Sequence, residues 1–276
     1  MVPEQLVEIF AQTLTGDYDD ELPWKAVHTL RSIGTRQIFE RAAEWCSSEN
    51  PLKRARGIDV LAQIGTTIEH PHNNFPDESF LIVSKLAQRA SDPLPLLSAI
   101  HALGHIGNPL ALPLVIQNRA HESPEVRFAV ACALRKFADD QRAVQALMGL
   151  MRDADEDVRD WATFGLGVLG DEDSSEIRGA LCKRITDPNR DLREEAILAL
   201  SKRKELRVVP ALLAELNQPD ISDRLKDAAE SFLNDNERRI GWSPNDYAAA
   251  LRKQFSLRTR LSPGRVTENY ENPLGR

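Results

Sequence analysis

The chain has 276 residues, 42 of them acidic and 35 basic, for a formal net charge of −7. A surplus of that sign repels a polyanion on average, which argues against nucleic acid as a partner. The three cysteines, Cys46, Cys132 and Cys182, are odd in number and far apart, which indicates free thiols in a reducing compartment and no zinc or disulfide framework.

No stretch approaches the roughly 18 apolar residues that a membrane span needs. The opening Met1-Val2-Pro3-Glu4-Gln5 carries no basic segment followed by an apolar run. The expected location is therefore cytoplasmic, with no membrane contact, and a monomer is favoured.

Self-similarity sets the organisation. Val126-Arg127-Phe128-Ala129-Val130-Ala131-Cys132-Ala133-Leu134 is echoed by Val158-Arg159-Asp160-Trp161-Ala162-Thr163-Phe164-Gly165-Leu166, 32 residues later. The leucine position recurs as Leu30, Leu61, Leu103, Leu134, Leu166, Leu200 and Phe232. Four residues before each stands a small or compact residue: Ala26, Gly57, Ala99, Val130, Ala162, Ala196 and Ala228. Small side chains there let neighbouring helices approach. A period of this length predicts an all-α solenoid of about seven helix pairs over residues 1–235, each contacting only its neighbours.

Residues 3–14 form an amphipathic first helix with Leu6, Ile9, Phe10 and Leu14 on one stripe. An acidic loop over 16–21 leads to a second helix over 23–33. Helices over 36–47 and 52–64 make the second pair. The spacing from Leu61 to Leu103 is about ten residues too long, and the excess falls in 66–76, which predicts an edge loop. His70 and His72 within it have no third ligand at hand, so no metal is expected. Pairs then follow over 77–107, 109–138, 140–170, 173–203 and 205–234. Gly34, Gly65, Gly107 and Gly170 read as helix stops, and Ser123 before Pro124 as a helix start. Residues 236–256 make a linker and a closing helix to about Phe255. Residues 257–276 read as a basic, disordered tail.

The repeats resemble the HEAT-like repeat of the phycobilisome-lyase type. The resemblance rests on the openings Val126-Arg127, Val158-Arg159 and Leu192-Arg193, on Ala102-Leu103-Gly104-His105-Ile106-Gly107, on Ala199-Leu200, and on the turns Asp92-Pro93 and Asp187-Pro188. It implies a curved right-handed superhelix whose second helices line the concave face. The family includes scaffolds, pigment-attachment factors and proteins that bind other proteins.

On those second helices, the offset counting leaves Trp24, His28, Arg56, His101, Phe128, Asp160, Trp161, Phe164, Glu194 and Glu195 facing out of the core. Aromatic rings on such a face suit a peptide or protein anchor. Arg56 and His101 towards one end, with Glu194 and Glu195 towards the other, predict a partner of complementary charge polarity. The row Arg54, Arg127, Arg159 and Arg193 is read as a ladder tying repeats together through acidic turns.

No catalytic motif occurs, and no cofactor or catalytic residue is expected. The function expected is a non-enzymatic protein- or peptide-binding scaffold or adaptor. The alternatives are an enzyme or enzyme subunit resembling phycobilin lyases, or a helical-repeat DNA glycosylase, against which the acidic face argues. The sole His-Glu dipeptide, His121-Glu122, lies in a turn, against an iron-dependent hydroxylase.

Overall fold

Among the described residues the chain is helical throughout, with no β-sheet. The structure is a computed structural model and describes residues 3–167, 170, 172–233, 239 and 241–261. The chain divides into two units, residues 1–172 and 173–276.

The first unit holds five helix pairs. They are α1 (Pro3–Gln12) with α2 (Glu21–Ile33), α3 (Arg36–Trp45) with α4 (Pro51–Ala62), and α5 (Pro76–Ala87) with α6 (Pro93–Ile106). Then come α7 (Leu112–Gln117), led by a 3-10 turn over Pro109–Ala111, with α8 (Pro124–Leu134), and α9 (Gln141–Leu150) with α10 (Glu156–Gly167). The second unit holds α11 (Ser175–Cys182) with α12 (Arg190–Lys202), and α13 (Val209–Glu215) with α14 (Asp223–Glu230). It ends on α15 (Pro244–Leu261). The closing helix thus runs on past Phe255 to Leu261, while positions 262–276 of the expected tail lie outside the described residues.

The repeating leucines form the spine of each unit. Leu30, Leu61, Leu103, Leu134, Leu166 and Leu200 are all fully buried, and Phe232 nearly so. The compact residues before them are buried too, and their size is used. A methyl group on Gly57 would sit 2.6 Å from the carbonyl oxygen of Ala42, so α4 can lie on α3 only because Gly57 has no side chain.

The second helices start alike. Asn50 accepts a hydrogen bond from Lys53 N at 3.1 Å, Ser123 from Val126 N at 3.2 Å, Asp155 from Val158 N at 3.1 Å and Asn189 from Leu192 N at 3.3 Å. Each satisfies one of the amide groups that a helix start leaves unpaired. Behind each cap stands an arginine. Arg54, Arg127, Arg159 and Arg193 each donate from one terminal nitrogen to the carbonyls six and five residues earlier, at 2.8 to 3.1 Å. Arg54, Arg127 and Arg193 also reach a carboxylate of the next repeat: Asp92, Asp153 and Glu215. The expected ladder is present at these three rungs.

The long spacing before Leu103 is an exposed loop between α4 and α5, with Ile68 wholly in solvent. Its far end is anchored. Asn73 Nδ2 donates to Leu61 O at 2.7 Å and Asn74 Nδ2 to Gly34 O at 2.9 Å, so two loop amides satisfy carbonyls at the ends of α4 and α2. In the second unit α15 packs on α14 through buried Tyr247, Ala248 and Leu251, with the Phe232 and Phe255 rings 5.6 Å apart.

Candidate functional site

In the first unit the second helices α2, α4, α6, α8 and α10 lie in sequence, and their uncovered flanks form a groove. Half-buried side chains from successive helices run along it. His101 of α6 and Phe128 of α8 have ring centroids 6.2 Å apart, Phe128 and Trp161 of α10 5.6 Å, and Trp161 and Phe164 5.8 Å. All three contacts are edge to face, the arrangement aromatic rings prefer. Phe128 and Trp161 stand 33 residues apart in the sequence, about one repeat, and their rings meet because the repeat places α8 and α10 side by side.

Two clefts open along this row and share His101, His105 and Phe128 as a common wall. The first, of about 490 Å³, reaches down to Tyr18, Trp24, Arg31, Asp59 and Ser98. The second, of about 530 Å³, is bounded by Cys132, Arg135, Lys136 and Trp161.

The floor of the first cleft is a buried polar cluster. Tyr18, from the α1–α2 loop, donates to both carboxylate oxygens of Asp59 at 3.1 to 3.2 Å and lies 2.9 Å from Ser98 Oγ. Asp59 is also 3.5 Å from an Arg56 nitrogen, and its backbone carbonyl takes a bond from Arg31 Nε at 2.8 Å. Arg56 donates further to Thr13 O and Tyr18 O, and its guanidinium stands 5.0 Å from the Trp24 ring. Burial raises the Asp59 carboxyl pKa, although Arg31 and Arg56 oppose the rise. Burial, and next the Asp59 charge, raises that of the Tyr18 phenol.

Two imidazoles and a thiol on the cleft walls are held neutral. Burial, with the nearby Arg135 charge, pushes His101 down to about 4. His105, bonded to Gln63 Nε2 at 3.0 Å, is pushed down by burial and by Arg31, His101 and Arg135. Burial pushes the Cys132 thiol up to about 12. A protonated thiol, a protonated phenol and neutral imidazoles present shape and hydrogen bonds to a ligand, not an activated nucleophile. Among the described residues no group of three or more His, Cys, Asp or Glu is placed to hold a metal ion.

The ten residues expected on this face divide into three groups. Trp24, His101, Phe128, Asp160, Trp161 and Phe164 are half-buried, and His28 is exposed with its ring 6.1 Å from that of Trp24. Arg56 is a correction: it is 1% exposed and serves the floor from beneath. Glu194 and Glu195, in the second unit, are corrections as well, at 2% and 3% exposed. Glu194 is paired with Arg190 Nε at 2.8 Å and bonded by Ser222, and Glu195 is paired with Arg224 Nε at 2.7 Å. Arg56 is covered by the α1–α2 loop, and the two glutamates by Arg190 of their own helix, Ser222 and Arg224, so these flanks meet protein instead of solvent. The charge polarity expected between Arg56 and the two glutamates is therefore absent from the surface. Tyr18 and Arg31 were not singled out by the pattern, since a loop residue reaching across 80 positions to Ser98 leaves no trace in a repeat.

Among the described residues, no helix is long and apolar enough to cross a membrane. The chain is 28% identical over 220 residues to protein YibA of Escherichia coli (strain K12), covering 76% of each. An X-ray structure of that Escherichia coli protein superposes with a TM-score of 0.69 at 23% identity, over 92% of this chain and 94% of that one. A shorter stretch, 76 residues and 28% of each chain, is 34% identical to the phycocyanobilin lyase subunit alpha of Thermosynechococcus vestitus. The family described as HEAT repeats matches residues 82–167 and 149–233, more than half of the chain, and the chain belongs to that family.

Proposed function

We propose that the chain is a non-catalytic binding module that holds a protein or peptide in the groove of its first unit. The observation that carries this reading is the unbroken row of half-buried rings His101, Phe128, Trp161 and Phe164, the first three of which border the clefts. Rings contributed by successive repeats offer a large, rigid, partly desolvated anchor surface, the kind on which binding energy concentrates. The protonated thiol and neutral histidines beside it agree with recognition more readily than with chemistry. With Cys46, Cys132 and Cys182 all free, the cytoplasm is the natural setting.

Photo-crosslinking in cells tests this. A crosslinking amino acid at Phe164 should trap a defined protein, and the same probe at exposed Leu81 on α5 should not. Adding Trp161→Ala should abolish the trapped product while the variant stays folded. Equal trapping from both positions, or trapping untouched by Trp161→Ala, would overturn the reading.

The stretch similar to a phycocyanobilin lyase subunit supports a second reading, service in pigment attachment. Mixing the purified chain with phycocyanobilin should then change the pigment's visible absorption, and an unchanged spectrum would remove it.

A further inference from the structure

Among the described residues, charges that form no ion pair stand on two opposite edges of the groove in the first unit. On one edge, made by the α1–α2 loop and the amino-terminal ends of α8 and α10, are Asp19, Glu125 and Asp157, all exposed, with Asp155 half-buried beside them. Glu125 accepts from Ser123 Oγ at 2.7 Å and Asp155 caps α10, but among the described residues none of the four forms an ion pair. Asp92, Asp153 and Asp140 in the same unit are each paired with an arginine. On the other edge, past the carboxyl-terminal end of α8, are exposed Arg135 and Lys136. Arg135 Nε donates to the carbonyl of Cys132 at 3.2 Å and its guanidinium stands 6.0 Å from the centroid of the Trp161 ring, and among the described residues neither side chain meets a carboxylate.

Between the two edges lie His101, Phe128 and Trp161. The polarity therefore runs along the helices and across the stack of repeats, not from one repeat to the next. An acidic edge beside an aromatic wall fits a cationic side chain, which gains both from the carboxylates and from the ring faces. A basic edge fits a carboxylate. Helix dipoles favour the same placement of charges, so recognition has to be separated from stability by reading binding itself.

We infer that the groove takes an extended peptide segment of a partner protein that carries a lysine or arginine and, further along, an aspartate or glutamate. The cation sits at the Asp19–Glu125–Asp157 edge against Phe128, and the carboxylate at Arg135 and Lys136. This rests on the binding-module reading above and adds the composition and direction of the bound segment.

The test is selection of a random peptide library displayed on phage against the full-length protein, followed by synthesis of the enriched peptides. The enriched sequences should carry both charges in one order. Glu125→Lys/Asp157→Lys should weaken their binding by about tenfold or more, as should Arg135→Glu/Lys136→Glu. A peptide with its two charges exchanged should bind the protein that carries both pairs of reversals. Neutral Glu125→Gln/Asp157→Asn, with thermal melts of every variant, covers the case in which a reversal unfolds the chain. Enriched peptides that depend on Trp161 but ignore both reversals would overturn this inference and leave the binding module standing. Failure of any peptide to enrich would overturn both.

Discussion

The guanidinium of Arg127 and the carboxylate of Asp153 meet through two parallel N–H···O bonds of 2.8 Å each. The same guanidinium donates from its remaining terminal nitrogen to the carbonyls of His121 and Glu122. One side chain thus fastens the turn before α8 and joins it to the turn before α10. A planar fork can do both at once, and an ammonium cannot. Arg127→Lys should cost about 1 to 3 kcal/mol of stability, because at least one buried acceptor loses its donor. Urea unfolding reads the loss. The solvent-exposed pair of Arg142 and Asp140 serves as the control, since Arg142→Lys should leave the midpoint unchanged. Equal midpoints for Arg127→Lys and the parent would mean the ladder is ornamental.

Arg56 occupies the opposite extreme of exposure. Its charge is buried against Asp59, and it supplies the donors for Thr13 O and Tyr18 O, which hold the α1–α2 loop over the cleft floor. Arg56→Leu strands a buried carboxylate and two carbonyls, and should cost about 3 to 5 kcal/mol. The double variant Arg56→Leu/Asp59→Asn should lose less than the sum of the single losses, because removing either partner already isolates the other. Additive losses in a denaturation cycle would contradict the coupling.

The periodicity made the helix pairs legible because each repeat repeats the same burial: Leu134 and Leu166 are equivalent in sequence and both fully buried. The arginine ladder was legible for the same reason, since Arg127 and the acidic turn before α10 recur at the repeat spacing. The row Phe128, Trp161 and Phe164 could be placed on one face. What the period could not give is how tightly neighbouring second helices close. That closeness decides whether Glu195 faces water or Arg224 of the next helix, and it is set by side chains on both helices at once. Tyr18 was invisible for a different reason, since it reaches the site from the loop inside the first helix pair, where the repeat marks no position.

Two glycines separate the backbone requirements of this fold. Gly34 has φ +57°, and a methyl group there would lie 2.5 Å from the Cα of Gly65, so backbone meets backbone where the ends of α2 and α4 converge. Gly34→Ala should therefore destabilise by at least about 1 to 3 kcal/mol. Gly149 stands on the exposed side of α9 with nothing within 4 Å of the added carbon. Gly149→Ala should raise stability by about 0.5 to 1 kcal/mol, because alanine gives up less freedom in a helix. Opposite shifts of the two urea midpoints are the expected result, and a stabilising Gly34→Ala would show that the α2–α4 junction yields.

Stability should also report the state of His101. Its imidazole is pushed from an ordinary 6.5 down to about 4 by burial and by Arg135. Between those values the unfolded chain takes up a proton that the folded chain does not, so folding weakens as pH falls through this window. The paired carboxylates act lower. Glu205, held down at about 2 mainly by its bonds from Arg207, contributes fully above its ordinary 4.5, and the contribution is lost as pH falls towards about 2. Asp59, raised by burial, acts in the opposite sense and strengthens folding as pH falls. It does so equally in the parent and in a His101→Gln variant, so the difference between the two profiles isolates His101. Urea midpoints at about pH 7 and about pH 5 should therefore converge: the parent loses stability over this range and His101→Gln loses less. Parallel profiles would mean that the His101 ring takes up its proton in the folded groove as readily as in water, and that the wall between the two clefts is wet.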